Sequence, residues 1–291
     1  MMHKYAFIAA KKQEGHHAQV SKLCNVVGVS NGTWYRWQSG STKRTQRQEE
    51  TDRLVEKIRG IWTRSTKTYG SPSVHGALRN EGIHCSRKRV ERLMRINGIF
   101  SHVHTHRTTT TIAGCTTTTP DLVERRFTAD APNKVWWTDI TYIWTKEGWL
   151  YLSAIEDVYS RKVVGYAFAD NLKTTLPLKA LHRALKSRKP ADGLVHHSDR
   201  GCQYTSWTYQ NELLTHGIRP SMGRTGVCWD NAAAESFWAT LKKEVIHRQQ
   251  WKTHQQAIRA VNKYIAWFNQ ERVHSTLNYV SPDVYELQNA A

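Results

Sequence analysis

Three acidic residues stand in positions where a carboxylate side chain is unusual. Asp139 lies within an apolar run of strand type, Asp199 directly follows another short apolar run, and Glu235 flanks the apolar face of a helical segment. Burying a carboxylate without a partner costs free energy, so these positions need a chemical explanation. Metal binding is one explanation. The alternative is that three of the 24 acidic residues are unrelated surface charges.

Divalent cations would remove the repulsion between three converging carboxylates. Hard cations such as Mg²⁺ prefer oxygen ligands, and two of them about 4 Å apart can activate a water or a DNA 3′-hydroxyl and stabilise the departing oxygen. A protein nucleophile is then unnecessary. The pattern therefore predicts that Asp139, Asp199 and Glu235 are catalytic residues that bind two Mg²⁺ ions, with Mn²⁺ as a substitute.

The first two acids lie in or beside predicted β-strands. Short apolar runs predict strands at residues 135–143, 149–155, 163–168, 194–197 and 218–221, with helices near 174–186 and 206–216. This βββαβαβα order is typical of an α/β fold, a ribonuclease-H-like catalytic core whose mixed five-stranded sheet is flanked by helices. In that fold the first and fourth strands are neighbours, so Asp139 and Asp199 can meet.

The third acid lies on a predicted helix. Asp230 or Asn231 can cap this helix, and its core face consists of Ala234, Phe237, Trp238, Leu241 and Val245. Helical spacing places Asn231 one turn before Glu235 and Lys242 two turns after it, along roughly the same side. We therefore expect the helix to present Glu235 to the sheet, and Asn231 and Lys242 to DNA.

The charge of the chain favours a polyanionic partner. Its 42 basic and 24 acidic residues give a formal charge of +18, and residues 1–100 carry 19 Lys or Arg against 7 Asp or Glu. Lys and Arg bind nucleic acid by displacing condensed counterions. An excess that only keeps the protein soluble is the alternative, but the bias is local and coincides with helix-turn-helix patterns. We predict that the first third of the chain binds DNA.

The first helix-turn-helix pattern covers residues 18–38. A helical stretch at 20–27 precedes a second helix that Ser30 can cap, and the aromatic residues of the second helix can pack on the first. These aromatic residues are Trp34, Tyr35 and Trp37.

The second pattern follows a polar stretch at residues 39–50. It comprises helices near 52–62, 71–80 and 86–97, and Gly82 and Gly98 are placed to end the last two. In the last helix, Val90, Leu93, Met94 and Asn97 form an inward stripe. The opposite side carries the basic residues that we predict to bind DNA: Arg87, Lys88, Arg92 and Arg95.

Composition also indicates the domain organisation and the compartment. Nine Thr residues between Thr105 and Thr119, beside a His-x-His-x-His run, predict a tether. We predict domains at residues 1–45 and 46–100, a linker at 101–130 and a catalytic core at 131–291. The five cysteines form no Cys-x-x-Cys pair and no run of about eighteen apolar residues occurs. These features favour a cytoplasmic protein without membrane contact.

The combined motifs resemble a known family. The 35 residues between Asp199 and Glu235 are typical of DD(35)E transposases and retroviral integrases, and the chain most resembles the OrfB type of bacterial insertion-sequence transposase. The matching segments are Tyr69-Gly70-Ser71-Pro72, Ser86-Arg87-Lys88-Arg89-Val90, Trp137-Thr138-Asp139-Ile140-Thr141, Asp157-x-x-Ser160-Arg161, His197-Ser198-Asp199-Arg200-Gly201, Asp230-Asn231 through Glu235-Ser236, and His274-Ser275-Thr276-Leu277.

The resemblance implies a function. It implies an integrase-like core behind helix-turn-helix DNA-binding segments, with the three acids as metal ligands and Lys242 in contact with the terminal DNA of a mobile element. The expected reaction is metal-dependent nicking followed by 3′-hydroxyl strand transfer, carried out by a homo-oligomer on terminal-repeat and target DNA. An upstream-frame partner protein or fusion is a further expectation. The alternatives are a ribonuclease-H-like nuclease without strand transfer and a catalytically inactive DNA-binding regulator.

Overall fold

A computed structural model describes residues 2–13, 20–102, 119–123, 128–223 and 232–290, without the side chains of residues 2, 41–45 and 232–235. It contains two compact units, residues 1–60 and 61–291. Among the described residues, no helix is sufficiently long and apolar to cross a bilayer. Most of the predicted linker and the residues before helix α9, including Asp230 and Asn231, lie outside the described residues.

The N-terminal unit is built from helix α1 (Met2–Gln13), helix α2 (Val20–Val26) and the first part of helix α3 (Asn31–Arg64). Ser30 caps α3 as predicted, because its Oγ accepts a hydrogen bond from the Thr33 N–H at 3.3 Å. Trp34 is fully buried and Trp37 packs at the edge of the same cluster, whereas Tyr35 is 54% exposed. Trp34 and Trp37 therefore pack as predicted, and Tyr35 does not.

Helix α3 is longer than predicted. It runs without interruption through residues 39–50, where the polar composition predicts a connecting segment. Polarity alone does not end a helix, since Gln, Lys, Arg and Glu all have good helix propensity and this stretch contains no proline. The Gln48 amide also donates to the Asp52 carboxylate one turn later at 2.9 Å. The predicted boundary between residues 45 and 46 thus falls inside a helix, and the domain limits stay a prediction.

Helices α4 (Ser71–Asn80) and α5 (Arg87–Ile96) form the second predicted unit. Ser86 caps α5 by accepting from the Arg89 N–H at 3.2 Å. Gly82 and Gly98 follow the two helices with φ of 76° and 64°, in the left-handed region that favours glycine. Val90, Leu93 and Met94 are buried as predicted. Asn97 is exposed and instead donates to the Leu93 carbonyl at 2.9 Å, so its inward placement was wrong.

The helical pair packs against the C-terminal part of the chain. The Tyr69 hydroxyl accepts a hydrogen bond from the Val273 N–H at 2.8 Å. Arg79 donates to the Asn278 carbonyl at 2.8 Å and Asn80 donates to the carbonyl of Tyr279. These contacts join α4 to the segment after helix α10 (His254–Gln270), about 200 residues later in the chain.

A five-stranded mixed sheet occupies the catalytic core, as predicted. The strands lie in the order β3-β2-β1-β4-β5. Their bounds are β1 Val135–Thr145, β2 Gly148–Asp157, β3 Val163–Ala169, β4 Val195–Ser198 and β5 Arg219–Met222. The first three strands are antiparallel, whereas β4 runs parallel to both β1 and β5. The predicted contact between the first and fourth strands is therefore confirmed.

Helices cover both faces of the sheet. Alternate residues of β1 point to opposite sides: Trp137 and Ile143 pack with α9 (Ala232–Glu244) and α10, whereas Trp136 packs with helices on the other face. That second layer contains α6 Thr175–Arg188, α7 Cys202–Thr205 and α8 Trp207–Thr215. The last helix of the chain is α11 (Pro282–Gln288). A two-sided core of this kind holds β1 and β4 rigidly at the centre of the sheet.

Arg188, which lies on helix α6, stabilises the turn after β2 that contains the Asp157-x-x-Ser160-Arg161 segment. Asp157 accepts from the Tyr159 N–H at 3.0 Å and pairs with Arg188 at 3.1 Å. The Arg161 guanidinium lies 3.8 Å from Glu156 instead. Arg188 also binds Glu286, so this network connects the turn, α6 and α11.

Candidate active site

Asp139 lies on β1, and Asp199 directly follows the adjacent parallel strand β4. The last paired residues of β1 and β4 are Trp137 and His197, and each aspartate stands two residues farther along its chain. Neighbouring strands are about 4.8 Å apart, so equal offsets bring the two side chains to the same level of the sheet. The strand order that the sequence predicts therefore brings these two acids together.

The surroundings of Asp139 favour its uncharged form in the absence of a cation. Burial, and then the negative charge of Asp199, raise the pKa of Asp139 to about 7. The Ile140 N–H donates to the Asp139 carboxylate at 2.7 Å and opposes this rise, as do the Trp238 indole and the Lys242 ammonium. The electrostatic effect of Asp199 indicates that the two carboxylates repel one another.

Asp199 is the more exposed of the two acids. Burial raises the pKa of Asp199, while the Gly201 N–H, which donates to its Oδ1 at 2.9 Å, and the charge of His197 lower it. His196 is different, because burial lowers its pKa to about 3 and its Nε2 is 2.8 Å from the Tyr209 hydroxyl. Of the two histidines, His197 is therefore the one that influences Asp199.

Glu235 lies on helix α9, but its side chain is outside the described residues. The helix itself is positioned by Phe237, Trp238 and Leu241, which are buried against the sheet as predicted. Among the described side chains, no three His, Cys, Asp or Glu groups form a cluster able to hold a metal ion. Asp139 and Asp199 offer acceptor-only carboxylate oxygens, a donor set that fits hard divalent cations.

Tyr204 is a site residue that sequence reasoning missed. Its hydroxyl lies 3.3 Å from Thr138 Oγ1, and the charges of Asp139 and Asp199 both raise its pKa well above the usual value for tyrosine, after burial. Tyr204 therefore stays protonated beside the two acids. Its side chain comes from helix α7, which follows Asp199 closely, but no sequence pattern marks it.

Lys242 lies near Asp139, in the last turn of helix α9. It is half-buried near the end of α9, and its ammonium lowers the pKa of Asp139. The Nζ atom also lies 5.5 Å from the centroid of the Tyr142 ring, on the same strand as Asp139. Lys242 is thus placed near both Asp139 and the Tyr142 ring. Asn231, the other residue that the sequence assigns to this helix for DNA contact, lies outside the described residues.

The basic residues predicted on α5 are on its solvent side. The buried stripe of Val90, Leu93 and Met94 faces the protein. The side chains on the other side of the helix are all exposed: Arg87, Lys88, Arg92 and Arg95. Their exposure is compatible with contact to DNA phosphates.

Protein-family models match most of the chain. The model described as "HTH-like domain" matches residues 49–107, and two models described as "Integrase core domain" match residues 129–228 and 216–282. The helical pair α4–α5 lies within the first match. The mixed sheet and the helix that carries Glu235 lie within the other two.

Two solved structures are similar in part. The HTLV-2 integrase catalytic core domain in complex with magnesium has a TM-score of 0.39 and 20% identity, covering 50% of this chain and 92% of that one. The simian T-cell lymphotropic virus intasome in complex with PP2A regulatory subunit B56 gamma has a TM-score of 0.47 and 14% identity, covering 75% and 71%.

Two bacterial transposases align with most of this chain and with nearly their whole length. The transposase for insertion sequence element IS904 of Lactococcus lactis is 38% identical over 253 residues, which cover 84% of this chain and 98% of that protein. Transposase InsF for insertion sequence IS3A of Escherichia coli K12 is 35% identical over 298 aligned positions, covering 99% and 100%. The chain therefore belongs to the family of bacterial insertion-sequence transposases that join an HTH-like domain to an integrase core.

Proposed function

We propose that this chain nicks DNA at the ends of an insertion sequence and joins the freed 3′-hydroxyl to another strand. Family membership supports the general reaction. The observation that carries the proposal for this chain is the equal offset of Asp139 and Asp199 beyond the last pair of β1 and β4. One carboxylate on β1 and one directly after β4, at the same level of the sheet, form an acidic edge, which a phosphodiester can approach only with positive charge between them.

Asp139, Asp199 and Glu235 are the proposed ligands of two Mg²⁺ ions, for which Mn²⁺ can substitute. When bound, these ions would activate the attacking hydroxyl and stabilise the leaving oxygen. The raised pKa of Asp139, about 7 without a cation, supports the assignment, because a group that resists ionisation alone has most to gain from a neighbouring positive charge. Tyr204 and the buried Thr138 close the inner side of the site against water.

Basic side chains on two elements would position the DNA. Lys242 lies next to Asp139 and would neutralise a phosphate near the reacting bond. Arg87, Lys88, Arg92 and Arg95 would bind a more distant part of the terminal repeat through the backbone phosphates. Because α4 is hydrogen-bonded to the segment that follows α10, the two contacts would have a fixed separation.

Two further expectations belong to the same proposal. Two element ends must be held together for joining, so the active form would be a homo-oligomer on terminal and target DNA. The domain limits at residues 45, 100 and 130 and an upstream-frame partner or fusion remain predictions.

The test is an assay that separates nicking from joining. The purified chain is incubated with labelled duplexes of the element ends and Mg²⁺, and Asp139→Asn is the matched control. The proposal predicts nicked ends and longer, joined strands for the wild type and neither product for the variant. Nicks without joined strands would instead identify a nuclease, and DNA binding without either product would identify a regulator.

A further inference from the structure

Three large aromatic side chains are exposed together on the β1–β2 hairpin. Tyr142, Trp144 and Trp149 are 45%, 59% and 44% exposed. The Trp144 and Trp149 rings lie 4.8 Å apart and the Tyr142 and Trp149 rings 5.2 Å apart, both in edge-to-face geometry. A contiguous aromatic patch of this kind on a protein surface marks an interaction site. We call these three residues the aromatic platform.

The pairing of the two strands explains why the rings gather on one face. Trp144 is directly opposite Trp149, and Tyr142 is two residues before Trp144 on β1. Side chains two residues apart share a face, and diagonal neighbours on adjacent strands remain within reach of large rings. Nearer the centre of the sheet, this face is covered by core packing around Trp136 and Ile155, which does not extend to the platform.

The platform lies close to the proposed reaction centre. Tyr142 is three residues after Asp139 on the same strand, roughly 10 Å along the chain, so the two side chains point to opposite faces of the sheet. Lys242 connects them at the edge of β1, because its ammonium acts on Asp139 and lies 5.5 Å from the Tyr142 ring centroid. The described part of β4 pairs with β1 only as far as Trp137, so the edge of β1 between Asp139 and Tyr142 is not covered by β4. A DNA strand bound at Asp139 would reach the platform by crossing this uncovered edge, on the path that Lys242 marks.

The charge near the platform favours nucleic acid over protein. The Lys242 ammonium lies 5.5 Å from the Tyr142 ring centroid and is the positive charge at the platform, whereas Lys146 and Glu147 at the hairpin turn offset one another. Lysine is depleted in the buried centres of protein–protein interfaces, whereas aromatic rings beside positive charge are typical of surfaces that bind unpaired nucleotides.

We infer that the aromatic platform stacks against unpaired bases of the DNA strand that enters the active site. Lys242 would hold the adjacent phosphate, and the rings would bind bases that are frayed from the duplex near the reacting bond. Stacking tolerates any base because each has a π face, so this contact would add affinity for unpaired DNA without sequence preference. The inference rests on the proposed function in one respect only, namely that the DNA strand reaches the platform from the side of Asp139.

The test compares two DNA probes without catalysis. One probe is a labelled duplex with a short oligo-dT 3′ tail that carries 2-aminopurine, and the other is the same duplex with blunt ends. Binding is measured by anisotropy in EDTA, so that neither DNA is cut. The wild type should bind the tailed probe at least about 5-fold more tightly, and 2-aminopurine fluorescence should fall on binding.

Matched variants separate stacking from general apolar contact. Trp144→Leu keeps an apolar side chain without a π face and should abolish the tail preference, as should Tyr142→Ala. Trp144→Phe keeps a ring and should retain most of the preference. Trp207→Ala, at a tryptophan on α8 that is 78% exposed, should behave as the wild type. Blunt-duplex affinity should stay unchanged in all four variants.

Several outcomes would overturn the inference. These are the absence of a tail preference in the wild type, an unchanged preference in Trp144→Leu, or an equal loss for both probes. A smaller oligomer in sedimentation of Trp144→Leu with the tail preference intact would assign the platform to a second copy of the chain. Because the assay needs no cleavage, a protein that neither nicks nor joins could still pass it, and an active transposase could still fail it.

Discussion

Gly76 lies directly against the ring of Tyr279. A Cβ atom built at Gly76 would stand 2.4 Å from Tyr279 Cγ, closer than any real contact. Tyr279 itself adopts φ of 63°, a left-handed conformation that is unusual for a tyrosine. The two residues therefore fit only because position 76 has no side chain. This contact fixes α4, and with it the basic helix α5, on the catalytic core.

The first prediction tests this contact. Gly76→Ala should destabilise the protein by about 1–3 kcal/mol, because the added methyl group overpacks a rigid ring. Removing the ring in a Gly76→Ala/Tyr279→Ala double variant should cost less than the sum of the two single variants. Chemical denaturation of all four proteins measures the coupling. Gly32→Ala is the control, since no described atom lies within 4 Å of a Cβ there. Additive effects would show that the contact does not hold the two parts together.

The second prediction concerns cation binding at Asp139 and Asp199. Mg²⁺ or Mn²⁺ should raise the melting temperature of the wild type, because a ligand that binds only the folded state stabilises it. Asp139→Asn and Asp199→Asn should lose most of this increase, and the exposed Asp170→Asn should keep it. Thermal unfolding with and without metal is the measurement. An equal increase in all the proteins would indicate that the cations bind elsewhere.

The third prediction follows from Glu156, which is 2% exposed and whose pKa burial raises to about 8. Between pH 4.5 and about 8, Glu156 is protonated in the folded protein but ionised in the unfolded chain. The free energy of unfolding is therefore highest below pH 4.5 and falls as the pH rises to about 8. Glu156→Gln should make this fall in the free energy of unfolding smaller by on the order of a few kcal/mol, since glutamine cannot ionise.

Urea unfolding at pH 5 and pH 8 measures the effect of Glu156. The difference between the two pH values should be smaller in Glu156→Gln than in the wild type, and unchanged in Glu91→Gln, where the side chain is exposed. An identical pH dependence in wild type and Glu156→Gln would show that the carboxyl is ionised at neutral pH.

The fourth prediction concerns the exposed basic side of α5. Arg92→Ala or Arg95→Ala should weaken binding to terminal DNA and reduce the slope of log affinity against log salt by about 1 for each lost phosphate contact. Lys186→Ala, at an exposed lysine on α6, should change neither. Anisotropy titrations over a range of salt concentrations give both values. An unchanged slope in both arginine variants would place the DNA on another surface.

Local patterns were sufficient to predict the elements that carry Asp139 and Asp199. Short apolar runs marked the strands, and their order made β1 and β4 neighbours, from which the meeting of the two acids followed. Ser30 was recognised as a helix cap because capping depends on a few adjacent residues. Helical spacing predicted that Lys242 faces DNA, and the resemblance to transposases specified the terminal DNA of a mobile element.

Long-range contacts were not predictable in the same way. Tyr279 meets Gly76, and Arg188 pairs with Asp157, only after the whole chain has folded. Tyr204 reaches Thr138, the neighbour of Asp139 on β1, from helix α7, and no spacing rule connects these two residues. The continuity of α3 was missed for another reason, since a polar helix has no apolar period that would reveal it.

The central claim is that Asp139, Asp199 and Glu235 act together on one phosphodiester. The most direct measurement is the single-turnover nicking rate in Mg²⁺ of Asp139→Asn, Asp199→Asn and Glu235→Gln, with Asp170→Asn as the control and melting temperature as the check on folding. Each of the three should lose at least about 100-fold in rate while staying folded. A wild-type rate in any one of them would contradict the assignment.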